Sequence, residues 1–269
     1  MSLSITGKTA IVTGAANGIG LAIARHFVDK GANVMFADMD EDRLTAEVGE
    51  DARAEGQVRL FAGDLRERLT ITNLLSATMD AFDRVDILVN ASRQIAVSDP
   101  LCAEDDAVES LLQQNLLTSL RLTQMTAKRM IALADKAEDQ AGSIGSIINL
   151  SSIAAHRTQA ALLGYSISCA ALDQMTRSMA VALAPKRIRV NAVAFGSVMS
   201  ASLQGVLKDK PDYRVAITAG TPMGRIAAAS ELAETVQFLA SDAAAFMTGQ
   251  IVTLDGGRSL IDPVQAPVH

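Results

Sequence analysis

The stretch Ile11-Val12-Thr13-Gly14-Ala15-Ala16-Asn17-Gly18-Ile19-Gly20 decides how this chain reads. An apolar run enters a glycine-rich turn. The chain leaves through Leu21-Ala22-Ile23-Ala24-Arg25-His26-Phe27, whose apolar residues have helical spacing. The pattern is strand, tight turn, helix. Glycine admits positive φ and lets the backbone approach a ligand closely. The first turn of a helix offers unpaired N–H groups and a partial positive charge, which suits a pyrophosphate. Glycines also mark plain turns. This one follows a strand and opens a helix, so its spacing predicts a dinucleotide site.

The remaining composition narrows the class. The 269 residues suit one α/β domain spanning 1–269, and 49% apolar residues allow a sizeable core. No uninterrupted apolar stretch is long enough to span a bilayer, so no membrane association is expected. Met1-Ser2-Leu3-Ser4-Ile5-Thr6-Gly7-Lys8 has no basic region followed by an apolar block. No signal peptide is read there, and a cytoplasmic protein is expected. A net charge of −6 with 3% aromatics disfavours nucleic acid. Cys102 and Cys169 are too few for a disulfide framework and lack metal-ligand spacing, so no metal is expected.

Strand and helix patterns alternate to the end. Strands are predicted at 8–13, 33–37, 57–62, 85–89, 146–150, 188–193 and 250–254. Helices are predicted at 18–30, 41–55, 66–82, within 104–134, and at 163–183. Gly31, Gly56 and Pro185 punctuate three helix ends. Residues 135–142 read as a charged connection or a helix overrun, and 262–269 as an extended tail. Repeated βα units predict a doubly wound, Rossmann-type parallel sheet of about seven strands flanked by helices. Ligands then bind beyond the carboxyl ends of the strands.

The turn, written Thr13-Gly14-x-x-x-Gly18-x-Gly20, differs slightly in spacing from the commonest dinucleotide fingerprint. It resembles the nucleotide-binding turn of the short-chain dehydrogenase/reductase family, and the resemblance runs from about Gly7 to Gly257. It implies that Gly14, Asn17, Gly18, Ile19 and Gly20 hold the cofactor. Asp38 ends the second strand, where an acid accepts hydrogen bonds from adenosine ribose hydroxyls and repels a 2′-phosphate. No Arg or Lys sits inside the glycine turn or directly after Asp38, so NAD is expected over NADP. Asp64-Leu65 follows the third strand. The resemblance implies that Asp64 bonds the adenine amino group; it can equally cap the next helix.

After the fourth strand the family shows Asn-Asn-Ala-Gly, and this chain has Asn90-Ala91-Ser92-Arg93. The first Asn is kept, and Asn90 and Ala91 are carried over as cofactor contacts. Arg93 replaces a glycine that leaves room beside the cofactor ribose, so it either swings to solvent or points charge into the site. The sixth strand leads to Phe195-Gly196 where the family has Pro-Gly, and Ser200 stands where Thr is usual. Gly196 and the backbone next to Val198 are implied to meet the nicotinamide. Residues 197–224, with Ala201 to Met223 at their centre, are expected to be a mobile loop over the substrate. The side chains of Ser92, Ala154, His156 and Gln159 are expected to line the pocket.

The family pattern Tyr-x-x-x-Lys, with a serine upstream, implies general acid–base chemistry. Tyr165 and Ser152 match it, and Asn115 matches the relay asparagine. Tyr165 would exchange a proton with the substrate oxygen and Ser152 would orient that oxygen, while a hydride moves to or from nicotinamide. The implied activity is NAD(H)-dependent interconversion of a secondary alcohol and a ketone. The lysine, however, is Cys169. An ordinary tyrosine titrates at about 10, so about one in a thousand is phenolate at neutral pH. Bringing it to neutrality takes roughly 3 units, about 4 kcal/mol, which a neutral thiol cannot supply.

Three readings stay open. The enzyme is weakened, with reduction suffering less than oxidation. Or Arg93 supplies the missing charge. Or catalysis is lost and the chain binds a dinucleotide in a regulatory or structural role. Cys169 reads as a small filler or as a nucleophile near a helix N-terminus. His156 reads as a pocket wall unless the fold brings it to Cys169. Leu111, Leu112, Leu116, Leu117, Leu120 and Leu122 give one helix more apolar surface than one core face needs. With the small residues of 170–184 and the family's habit, they imply a homotetramer or homodimer.

Overall fold

The structure, a computed structural model, describes residues 2–53, 56–104, 106–137 and 142–262. The first half runs β1 (Thr9–Thr13), α1 (Gly18–Asp29), β2 (Asn33–Asp38), α2 (Glu41–Arg53), β3 (Val58–Ala62), α3 (Arg68–Phe82) and β4 (Ile87–Asn90). A short helix α4 (Val108–Leu111) passes through a π-helical turn (Leu112–Leu117) into α5 (Thr118–Lys136). Then come β5 (Gly145–Ser152), α6 (Leu163–Leu183), β6 (Ile188–Phe195) and β7 (Val198–Met199). The chain continues through α7 (Ala201–Asp209), α8 (Pro211–Ala219), β8 (Ala227–Ala228), α9 (Ala229–Ala240) and β9 (Ile251–Leu254).

The expected architecture holds. Seven strands form one parallel sheet in the order β3-β2-β1-β4-β5-β6-β9, and β7 pairs with β8 apart from it. Strand alternation sends side chains to two separate cores. Ala10 and Val12 of β1 join Phe27 of α1, Leu44 of α2 and Leu232 of α9 on one face. Ile11 joins Leu74 of α3, Leu122 of α5 and Ala180 of α6 on the other. Full burial of a side chain such as Phe27 or Leu74 contributes about 1.5–3 kcal/mol, so each helix is held mainly by its core stripe. The order reverses at β1, between β2 and β4, which opens the ligand crevice at their carboxyl ends.

Several boundaries differ from the sequence expectation. β5 runs on to Ser152 and β6 to Phe195, pairing residue for residue from Gly145↔Ile188 to Ser152↔Phe195. The candidate serine therefore ends a central buried strand rather than sitting in a loop. The segment expected as a mobile loop holds two helices. Pro211 starts α8, where its fixed φ suits a helix and its missing N–H costs nothing. Ser200 caps α7, its Oγ accepting from Leu203 N at 3.2 Å. The charged connection begins as an extension of α5 to Lys136, while 138–141 lie outside the described residues, as do 54–55 of the second helix and 263–269 of the tail. No helix among the described residues is long and apolar enough to cross a membrane.

Candidate active site

The glycine turn forms as β1 hands over to α1. Gly14 and Gly18 have φ of +66° and +57°, which L side chains rarely adopt. A Cβ at Gly14 would lie 2.9 Å from Ser92 Cα, and one at Gly20 would fall on the Gly14 carbonyl. The turn is thus pressed against both its own helix and the chain after β4. Asn17 stands at the N-cap of α1 without a side-chain cap bond, so its side chain leaves the first-turn amides of Gly18, Ile19 and Gly20 uncapped.

Asp38, at the end of β2, accepts from Ala16 N at 3.0 Å and from Asp40 N at 3.2 Å. It fastens the turn to the strand end where a ribose would lie. Asp64 bonds its own neighbours and does not cap the next helix. It accepts from Arg66 N at 2.9 Å and pairs with the Arg66 guanidinium at 2.6 Å, which holds its carboxyl below the usual range. α3 begins later, with Glu67 at its N-cap, so Asp64 closes a local turn instead of capping that helix. Leu65 beside it is buried.

The chain after β4 is clamped from several sides. Thr13 Oγ1 accepts from both Ala91 N and Ser92 N at 3.0 Å. Gln114 Nε2 donates to Ser92 Oγ at 3.0 Å. Asn115, in the π-helical turn, accepts from Gln94 N at 2.8 Å and donates from Nδ2 to Gln94 O and Ser168 Oγ, each at 3.0 Å. Single π turns recur at functional sites because they redirect one side chain from the helical row. Here Asn115 ties the chain after β4 to α6. Asn90 Nδ2 donates to Asn149 Oδ1 at 2.7 Å and Thr123 Oγ1 at 3.2 Å, while its Oδ1 meets no partner among the described residues.

Held at both flanks, Arg93 turns inward. Its Nη1 donates to Tyr165 Oη at 2.8 Å and to Ser151 O at 3.3 Å. Its guanidinium carbon lies 4.1 Å from the centre of the Phe195 ring and 5.9 Å from that of Tyr165. The large side chain that displaces the family's proline thus provides the surface on which the arginine rests.

Tyr165, in the first turn of α6, is 3% exposed. Burial pushes its phenol above the ordinary value, and neighbouring Cys169 adds to that. Arg93 and the Ser152 hydroxyl pull the other way without winning. Ser152 ends β5, its Oγ accepting from Ala154 N at 3.1 Å. Cys169 lies one turn beyond Tyr165 in an apolar cluster with Leu111 and Ala154, and burial raises its thiol. That environment makes an inert filler rather than a nucleophile. His156 stands toward Asp173 and Asp255.

Where a lysine stem would run, only a void of about 10 Å³ remains, lined among others by Asn90, Arg93, Asn115, Tyr165 and Cys169. That is room for about one water. A concavity of about 800 Å³ lies elsewhere, between α9 and the chain after β9, and includes none of Ser152, Tyr165 or Arg93. Size without chemistry does not make a reaction centre. Gly196 N–H donates to Leu254 O at 3.0 Å, and Val198 is buried. Gln114 and Ser168 were not singled out from the sequence, and Thr13 only as the first residue of the glycine turn. The signal for Gln114 and Ser168 is adjacency, to Asn115 and Cys169 respectively. Among the described residues no group of three His, Cys, Asp or Glu is placed to hold a metal.

The chain matches known proteins over nearly its whole length. The family model described as enoyl-(acyl carrier protein) reductase matches residues 14–259. The cis-4-hydroxycyclohexanecarboxylate dehydrogenase of Sinomonas cyclohexanicum is 34% identical over 262 residues, covering 97% of this chain and 100% of that one. The 3-oxoacyl-(acyl-carrier-protein) reductase of Thermotoga maritima is 29% identical, covering 95% and 99%. The solved structure of a 7α-hydroxysteroid dehydrogenase complexed with NADH and 7-oxo glycochenodeoxycholic acid superposes with a TM-score of 0.84 at 30% identity, covering 95% of each chain.

Proposed function

The chain belongs to the short-chain dehydrogenase/reductase family and is an oxidoreductase, and from that premise we propose that it interconverts a secondary alcohol and a ketone with NAD(H), favouring reduction near neutral pH. The single observation that carries this reading is the 2.8 Å bond from Arg93 to Tyr165.

The glycine turn fits a dinucleotide. Close backbone packing requires glycine at 14 and 20, the uncapped first turn of α1 is available to a diphosphate, and Asp38 suits an unphosphorylated ribose. Asp40 adds a second acid beside it and no cation follows directly, which supports NAD over NADP. Asn17, Gly18, Ile19, Asp64, Leu65, Ala91, Gly196 and Val198 complete the proposed cofactor contacts. The bound dinucleotide supplies or accepts the hydride.

The protein's own part is proton handling. Arginine has no acceptor, so Tyr165 Oη takes the Arg93 hydrogen, and the phenol's own proton remains to be given to a carbonyl oxygen. Ser152 orients that oxygen. Because burial keeps Tyr165 protonated, the resting site already holds the acid that reduction needs. Arg93 disperses the charge left on the phenol after transfer, the task a helix lysine has in the family. Of the three readings of the missing lysine, the inward turn of Arg93 favours the one in which it supplies the charge. Asn115 keeps the arginine in place.

The chain reads as one unit, with residues 197–224 covering the substrate. Half-buried Leu112, Leu116, Leu117 and Leu120, with exposed Ile167 and Val181, support a homotetramer or homodimer. Two unpaired thiols suit a reducing cytoplasm.

NADH oxidation measured with a ketone panel, for the wild type and Arg93→Ala, tests this reading. Turnover unchanged in the variant, with NAD still bound, would overturn the role of Arg93. The absence of turnover with every ketone would overturn the activity.

A further inference from the structure

We propose that Arg93 also recognises an anion, and that the carbonyl substrate carries a carboxylate close to the reacting carbonyl, as in a 2-oxo or 3-oxo acid. The inference rests on the reading above for the ketone and on the arginine's unused donors for the acid.

Guanidinium carries five N–H donors. The two on Nη1 are taken by Tyr165 Oη and Ser151 O. Among the described residues the edge formed by Nε and Nη2 meets no acceptor, and no carboxylate comes within ion-pair distance of Arg93. Arg25, Arg66, Arg84 and Arg225 each have a carboxylate partner. A half-buried cation with three donors not committed to the chain thus stands beside the phenol that protonates the substrate.

The surroundings of the guanidinium select the partner. Phe195 covers one planar face of the guanidinium, which leaves in-plane approach to the free edge. A planar, two-pronged carboxylate matches that edge with two parallel hydrogen bonds. The Thr13 and Asn115 clamps fix the arginine beforehand, so little ordering is required on binding.

Position then sets the chain length. Nη1 is already 2.8 Å from Tyr165 Oη. A ketone oxygen bonded to that phenol and a carboxylate on the neighbouring guanidinium edge must belong to one short molecule. The carboxylate takes no part in bond making. The ketone carbon receives the hydride, its oxygen receives the Tyr165 proton, and the product leaves as the hydroxy acid.

The test uses matched pairs with the full chain: pyruvate and methyl pyruvate, acetoacetate and methyl acetoacetate. Each is titrated calorimetrically into wild type, Arg93→Gln and Arg93→Lys, with and without saturating NAD. We expect one acid to bind wild type at least tenfold more tightly than its ester, Arg93→Gln to abolish that preference, and Arg93→Lys to keep part of it. Equal binding of acid and ester, a preference that survives Arg93→Gln, or no binding of either acid overturns the proposal. NADH oxidation is read separately. Preferred binding of an acid without turnover leaves the anion site standing and defeats the oxidoreductase reading for it. Equal turnover of acid and ester does the reverse.

Discussion

Arg93 Nη1 donates to Tyr165 Oη across 2.8 Å, so the charge beside the candidate acid comes from the chain after β4 and not from the helix that carries the tyrosine. The phenol is held above its ordinary value because burial outweighs that charge. Most of the expected behaviour follows from this balance.

Alcohol oxidation needs the phenolate, and reduction needs the phenol. With the Tyr165 pKa raised above 10, the phenolate fraction climbs about tenfold per pH unit throughout the range below it. Oxidation rates should therefore rise continuously from pH 7 to 10 without a plateau. Reduction should stay level across neutrality. Initial rates in both directions with one alcohol–ketone pair check this, and an oxidation plateau near neutral pH would contradict it.

Removing the guanidinium leaves only the Ser152 hydroxyl to oppose burial. Arg93→Ala should move the oxidation limb to higher pH and lower the rate at pH 9 by about 10- to 100-fold, with a smaller loss in reduction. Comparison of the two pH profiles isolates the charge from any loss of packing on Phe195, which would lower both directions alike.

Cys169→Lys alone should fail to restore a family-like profile. The void beside Cys169 is about 10 Å³ and Arg93 borders it, so an ammonium there would meet a like charge in a space already taken. The double variant Arg93→Gly with Cys169→Lys should exceed both single variants in oxidation at pH 8. A double-mutant cycle on kcat measures that coupling.

The cofactor turn gives a stability and a specificity prediction. Gly20→Ala drives a methyl onto the Gly14 carbonyl and should cost about 1–3 kcal/mol in urea unfolding, with nucleotide binding lost. Asp38→Ser with Met39→Arg should shift the ratio of kcat/KM toward NADPH by at least tenfold, since it replaces a repelling acid and adds a phosphate partner.

The layered fold was legible because every βα unit announces itself. β1 alternates Ala10-Ile11-Val12 between two cores, and Gly14, Gly18 and Gly31 take the positive φ values that their turns require. Residues 201–223 were harder. Pro211 reads as a breaker in isolation, yet it is the first residue of α8, and only tertiary packing decides between those roles. Asn115 was recognisable as a candidate, but its partners Gln94 and Ser168 depend on the π turn, which leaves no period in the sequence. The direction of Arg93 was open for the same reason. A long side chain in a connecting segment follows whatever clamps its neighbours, and Thr13 lies 80 residues away.

The two thiols offer a practical handle. Cys102 is partly exposed near Glu104, whereas Cys169 is sealed beneath Tyr165. A maleimide pulse should tag the native chain at Cys102 alone and acquire a second label only when α6 lifts off the sheet. Mass spectrometry then times the opening of the reaction centre with no introduced probe.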